Sequence, residues 1–153
     1  MGLIIPIDKA AEQIARRQHE GQTRWDKSVP YIVHPERIAA ATYGEEFKAA
    51  AWLHDVVEDT DMTLDELRSE LEQLSGAGHK VDLVIELVDA LTRREGESYT
   101  EFILRIKASS VAAAELKSAD ISDNLRDLKK GAMKDKYEMA LWILGHDCMD
   151  EWK

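Results

Sequence analysis

Apolar positions along the chain recur at three- and four-residue spacings and nowhere alternate for long, a pattern that predicts helices and no convincing strand. Ala11, Ile14 and Ala15 mark the inner face of a first helix from Asp8 to Glu20, with Asp8 as its N-cap. Gly21 to Pro30 carries Gly, Asp, Ser and Pro at turn positions and is expected to be a loop. A second helix is expected from Pro35 to Tyr43, with Pro35 at the first helical position and Gly44 ending it. The Ala-rich run from Glu45 starts a third, expected to continue through Asp59. Thr63-Leu64-Asp65-Glu66 and Ser98-Tyr99-Thr100-Glu101 are capping boxes, opening helices to about Leu74 and Ala108. Between them, Ser75-Gly76-Ala77-Gly78 breaks the chain, and Val81, Val84, Ile85, Val88 and Leu91 define an amphipathic helix. Val111 to Leu128 and Asp135 to Cys148 complete the set. The expected fold is all-α, a single compact multi-helix bundle over residues 1–153.

Two polar groups interrupt this apolar pattern. In Trp52-Leu53-His54-Asp55-Val56-Val57-Glu58-Asp59, an imidazole and three carboxylates share a short stretch with apolar flanks. On an unbroken helix, His54 and Glu58, and likewise Asp55 and Asp59, would lie one turn apart with Cβ atoms about 5–6 Å from each other. Left unpaired, such charges repel more strongly as they are buried, and a divalent cation removes that penalty. The competing reading is a solvated helix end with one core histidine. Asp120 sits among Ala112-Ala113-Ala114, Leu116, Ala119 and Ile121, with Asn124 four residues on, as a further ligand or as a partner of Lys117 or Arg126. His34 follows an apolar run and precedes Pro35, where it is functional or simply structural; His19, His79 and His146 are read as structural or exposed.

Composition narrows the function. Thirty acidic against twenty basic residues give a formal charge of -10, which argues against duplex nucleic acid as a partner and leaves a small anion possible where a metal and local cations offset the field. Apolar runs reach only about five residues, against roughly 20 for a bilayer span. The start Met1-Gly2-Leu3-Ile4-Ile5-Pro6 has no secretory pattern, and the single cysteine, Cys148, suits a reducing cytoplasm.

Four segments in order, Gly21-Gln22-Thr23-Arg24, Pro30-Tyr31-Ile32-Val33-His34-Pro35, Leu53-His54-Asp55-Val56-Val57-Glu58-Asp59-Thr60, and Lys117-Ser118-Ala119-Asp120 with Asp123-Asn124-Leu125, give the chain a resemblance to the HD-domain metal-dependent phosphohydrolases. Within them it resembles the alarmone hydrolase branch, the RelA/SpoT-type hydrolase domain and its small stand-alone relatives. The resemblance implies His34, His54, Asp55 and Asp120 as ligands of a divalent metal, usually manganese. It implies Glu58 and Asp59 as the acidic pair acting on the attacking water. Arg24 and Asn124 match substrate-contacting positions, and Tyr137 a further contact in the late helix. Where alarmone hydrolases tend to carry a second basic residue after the arginine, this chain has Trp25, with Lys27 two further on, so the loop is expected to hold a base better than a distal phosphate. No synthetase or regulatory domain is expected.

The implied function is hydrolysis of a small nucleotide, guanosine tetra- or pentaphosphate, at its 3′ diphosphate. Two alternatives stand beside it: an HD-type phosphatase on another nucleotide, and a nucleotide-sensing module with a vestigial site.

Overall fold

The computed structural model describes residues 2–128 and 131–145. Within them the order is α1 (Ile7–Gln18), α2 (Val33–Ala40), α3 (Glu45–Leu53), α4 (Val56–Asp59), α5 (Leu64–Ser75), α6 (His79–Leu91), α7 (Tyr99–Ser109), α8 (Val111–Asp127) and α9 (Ala132–Gly145). Among the described residues the only β feature is an isolated antiparallel bridge between Thr23 and Pro30. The all-α expectation holds. His146 and Cys148, with the expected end of the last helix at Cys148, lie outside the described residues.

The chain divides into two compact units, Met1–Thr92 and Arg93–Lys153. In the first, α1 packs on α3 and α5, α2 lies on α3, and α6 packs on α3 and α5. Ile14, Leu53, Leu67, Leu71, Val81 and Val84 are fully buried there. All five apolar positions that define α6 in the sequence are buried. In the second unit α7, α8 and α9 pack on one another, with Ile103, Ile106 and Ile121 fully buried.

Both capping boxes form. Thr63 accepts from the Glu66 amide and Ser98 from the Glu101 amide, while each glutamate reaches back to the cap's own N–H. Gly76 and Gly78 break the chain as expected, both with positive φ.

Three of the helices nearest the site differ from expectation at their ends. Helix α1 starts at Ile7, so Asp8 sits inside the first turn and Pro6 is the cap; burial of Ile7 draws the start forward. Helix α2 starts at Val33 and puts Pro35 third, still within the first turn, where its missing N–H has no intrahelical acceptor to lose. It ends at Ala40, and Gly44, at φ +93°, instead caps the start of α3. The third difference matters most, because α3 stops at Leu53 and a separate four-residue helix follows.

Thr63 closes one of the two intact capping boxes on an exposed helix start. Thr63→Ala is expected to lower stability by about 1 kcal/mol and Thr63→Ser by much less, as measured by urea unfolding.

Candidate metal centre

The break between α3 and α4 is built by His54. Its Nδ1 lies 2.7 Å from the Ala51 carbonyl oxygen, the acceptor that a continuing helix would present to the Asp55 amide. With that carbonyl taken by the side chain, Asp55 turns to φ -108°, ψ -1° and the chain restarts at Val56. The same bond makes Nδ1 the protonated nitrogen and leaves the Nε2 lone pair facing inward.

His34, second residue of α2, points its own Nε2 at the same place. The two Nε2 atoms are 3.3 Å apart, and Asp55 Oδ2 lies 2.9 Å from that of His54 and 3.8 Å from that of His34. The imidazoles are 1% and 4% exposed, so water does little to relieve this crowding of polar atoms. The three side chains each offer a ligand atom within 4.8 Å of the others. Two imidazoles and a carboxylate converging in this way suit a divalent metal.

Glu58 and Asp59 follow on α4, both at the solvent edge. The expected one-turn spacing survives for Asp55 and Asp59, whose backbones are joined by a 2.8 Å hydrogen bond, whereas His54 and Glu58 are separated by the break. The Asp59 carboxyl is pushed up to about 6, first by burial of the carboxyl and then by the charges of Asp55 and Glu58.

Two residues that the sequence does not single out hold this arrangement. Tyr31 donates its hydroxyl to Asp55 Oδ2 and lies 3.4 Å from Asp59 Oδ2. His19, buried at the end of α1, stacks on Tyr31 with ring centroids 4.7 Å apart. Its Nδ1 contacts Gln22 Oε1 at 2.8 Å, and the Gln22 amide donates to the Asp59 carbonyl at 3.1 Å. Burial holds the His19 imidazole below its ordinary pKa. The available signal is position: Gln22 and Tyr31 lie inside the recognised segments, and His19 is one helical turn before Gln22.

The Gly21–Pro30 loop is pinched shut by backbone bonds from Arg24 to Val29 and from Tyr31 to Gln22. Arg24 is buried, its guanidinium 4.6 Å over the Trp25 ring and 5.9 Å from that of Tyr31. Trp25 is 49% exposed, and Lys27 is exposed at the loop's tip. Asp120, Asn124 and Tyr137 belong to the second unit. Asp120 is buried on α8, its Oδ2 2.8 Å from Lys117 Nζ and its Oδ1 3.4 Å from the Asn124 amide nitrogen. Tyr137 on α9 is half-buried, 6.2 Å from the Tyr99 ring. His79 is exposed, as expected.

A helical frame that converges two imidazoles and a carboxylate beside an acidic turn gives a site of the histidine–aspartate kind that could hold a metal ion. Comparison with known proteins makes the class specific. No family model matches the chain. Human guanosine-3′,5′-bis(diphosphate) 3′-pyrophosphohydrolase MESH1 is 36% identical over 127 residues, covering 78% of this chain and 68% of that protein. The bifunctional (p)ppGpp synthase/hydrolase SpoT of Escherichia coli is 32% identical over 78% of this chain, and the Vibrio cholerae 3′-pyrophosphohydrolase 31% identical over 79%; the matches span only 18% and 17% of those longer proteins. A solved structure of a metazoan SpoT ortholog that hydrolyses ppGpp matches with a TM-score of 0.70 and 27% identity, over 94% of this chain and 86% of that one. The chain belongs to the guanosine-3′,5′-bis(diphosphate) 3′-pyrophosphohydrolase family. No helix among the described residues is long and apolar enough to cross a membrane.

A carboxyl whose folded pKa stands at about 6 against 3.8 unfolded destabilises the protein above pH 6 and ceases to do so below about pH 4. Asp59→Asn is therefore expected to raise the stability of chelator-treated protein at pH 7, by about 1 kcal/mol once solvent screening is allowed for. At pH 4 the variant and parent should melt together. Equal melting at pH 7 would remove this charge penalty.

Proposed function

We propose that the protein is a metal-dependent 3′-pyrophosphohydrolase of guanosine tetra- or pentaphosphate, acting in a reducing cytoplasm. The observation that carries the reading is the convergence of the His34 and His54 Nε2 atoms on Asp55, beside an acidic turn, in a chain of this family.

In this reading His34, His54, Asp55 and Asp120 hold the metal, taken to be manganese. The donor set fits such an ion: the ring nitrogens of two buried imidazoles converge on a carboxylate, and a cation would be drawn to all three. Asp120 enters from the order of the motifs and from the burial of its carboxylate among small apolar neighbours. The two units then act as one hydrolase domain. Bound there, the metal supplies Lewis acidity, polarising a phosphoryl oxygen and making water acidic near neutral pH.

The remaining steps fall to the chain's own side chains. Glu58 and Asp59 orient the attacking water and accept its proton. Tyr31 fixes the Asp55 carboxylate so that it cannot rotate away from the imidazoles. Water adds to phosphorus as the bond to the 3′ oxygen breaks, and that oxygen leaves with a proton. Arg24, Trp25, Lys27, Asn124 and Tyr137 contact the nucleotide. The Arg24 guanidinium lies over Trp25, so the exposed indole presents the loop's flat face for a purine, with Arg24 behind it.

Asp55→Ala is expected to abolish both metal content and turnover. Full metal occupancy by elemental analysis would take Asp55 off the ligand set. Glu58→Gln and Asp59→Asn should each retain metal, and the variant that removes the base should lose at least about tenfold in rate. Parent-like turnover in Glu58→Gln would assign the base to Asp59.

The Trp25 contact is made equally with substrate and transition state, so Trp25→Ala is expected to raise KM more than it lowers kcat. Steady-state kinetics with purine and pyrimidine nucleotides carrying a 3′ diphosphate check this. Equal activity on both bases in the parent would exclude Trp25 as the base reader.

A further inference from the structure

His19 and Gln22 have no part in the chemistry above, yet their bonds run to the turn that carries Glu58 and Asp59. The backbone of Gln22 is pinned on both sides: its N–H donates to the His19 carbonyl at 3.0 Å, and its carbonyl accepts from the Tyr31 N–H at 2.8 Å. Its side-chain nitrogen lies 3.1 Å from the Asp59 carbonyl oxygen, and its side-chain oxygen 2.8 Å from His19 Nδ1. His19 Nε2, by contrast, is buried with no hydrogen-bond partner among the described residues.

These contacts fix the direction of each hydrogen bond. A backbone carbonyl only accepts, so the Gln22 amide nitrogen faces Asp59 and the amide oxygen faces His19. That oxygen accepts in turn, so His19 Nδ1 carries the imidazole proton. A phenyl ring in its place would lie against Tyr31 as the imidazole does, and would bury no unpartnered nitrogen. What the imidazole supplies is the N–H that selects one of the two orientations of the Gln22 amide. In the other orientation, two oxygens would face each other across 3.1 Å.

The element tied in this way has little stability of its own. Helix α4 has four residues, far below the roughly 12–15 at which an isolated helix becomes marginal. Its Val56 carbonyl is closed locally, by the N–H and hydroxyl of Thr60 at 3.1 and 2.5 Å. Its last carbonyl, that of Asp59, is closed from outside the helix by Gln22. That carbonyl carbon is bonded to the Asp59 Cα, so holding it sets the direction in which the carboxylate leaves the backbone. We propose that Gln22 is a positioning residue for the Glu58–Asp59 pair, and that His19 acts through it by fixing the orientation of its amide. The role rests on the hydrolase reading, in which that pair handles the attacking water; the tie itself does not.

Gln22→Met keeps the length of a half-buried side chain and removes both of its hydrogen bonds. In the chelator-treated full chain, hydrogen exchange is followed by NMR at the Asp59 and Thr60 amides, which bond to the Asp55 and Val56 carbonyls. It should quicken about tenfold there, while α5 and α6 exchange as in the parent. In manganese-loaded protein, kcat for guanosine tetraphosphate should fall about tenfold, with KM and manganese affinity unchanged. His19→Phe, which keeps a ring against Tyr31, should show the same effects, and the double variant no more than either alone. Parent-like exchange in α4, parent-like kcat in Gln22→Met, or losses that add in the double variant overturn the proposal. Quickened exchange in a protein that hydrolyses no nucleotide keeps the tie and overturns the hydrolase reading. Equal turnover by the parent and Gln22→Met does the reverse.

Discussion

One hydrogen bond sets the geometry of the first unit's site. By occupying the Ala51 carbonyl, the His54 imidazole ends α3, fixes its own tautomer and turns Nε2 toward His34. An unbroken helix would leave that carbonyl to the Asp55 amide and swing Asp55 about 100° around the axis from His54. The turn instead brings Asp55 Oδ2 to 2.9 Å from His54 Nε2, though the two residues are adjacent in sequence. Adjacent residues on a regular helix do not face each other. The break is thus the condition for a His-Asp pair to act together at one point.

Such a site is built against stability. A buried pair of ring nitrogens at 3.3 Å, a carboxylate beside them and two more acids on the next turn disfavour the folded state when no cation is present. The surroundings offset this in separate ways. Leu53 and Val56, on either side of the pair, are fully buried and anchor the break from below. Tyr31 gives Asp55 a donor, and His19 packs against Tyr31 while Gln22 ties α1's end to the Asp59 carbonyl. These side chains order the carboxylates without neutralising them, and leave their negative charge for a metal.

Helix positions were legible in the sequence because their causes are local. Capping boxes at Thr63 and Ser98, the glycine break at Gly76–Gly78 and the apolar spacing of α6 depend on neighbours within a turn or two, and each appears as expected. The break at His54 was not legible. Its cause is a side-chain bond to the backbone that competes with helix continuation, and Ala-rich sequence before it favours continuation. The roles of Tyr31 and His19 were hidden for another reason: each depends on packing between α1, the loop and α4, which spacing along the chain does not encode. His34, His54 and Asp55 could be named from the order of the motifs, but their convergence needed the fold.

The placement of the cations carries the argument one step further. Several basic side chains sit in surface pairs, such as Arg16 with Glu36 or Arg68 with Asp82, which are worth little and screen easily. Several also lie over aromatic rings, as Arg16 does over Trp52 and Arg105 over Phe102. Arg24 is buried over Trp25, and Lys136 stands over Tyr99. An aromatic face holds a cation in place without cancelling its charge, unlike a carboxylate. The aromatic residues beside Arg24 and Lys136 therefore do more than pack: they fix where those positive charges sit.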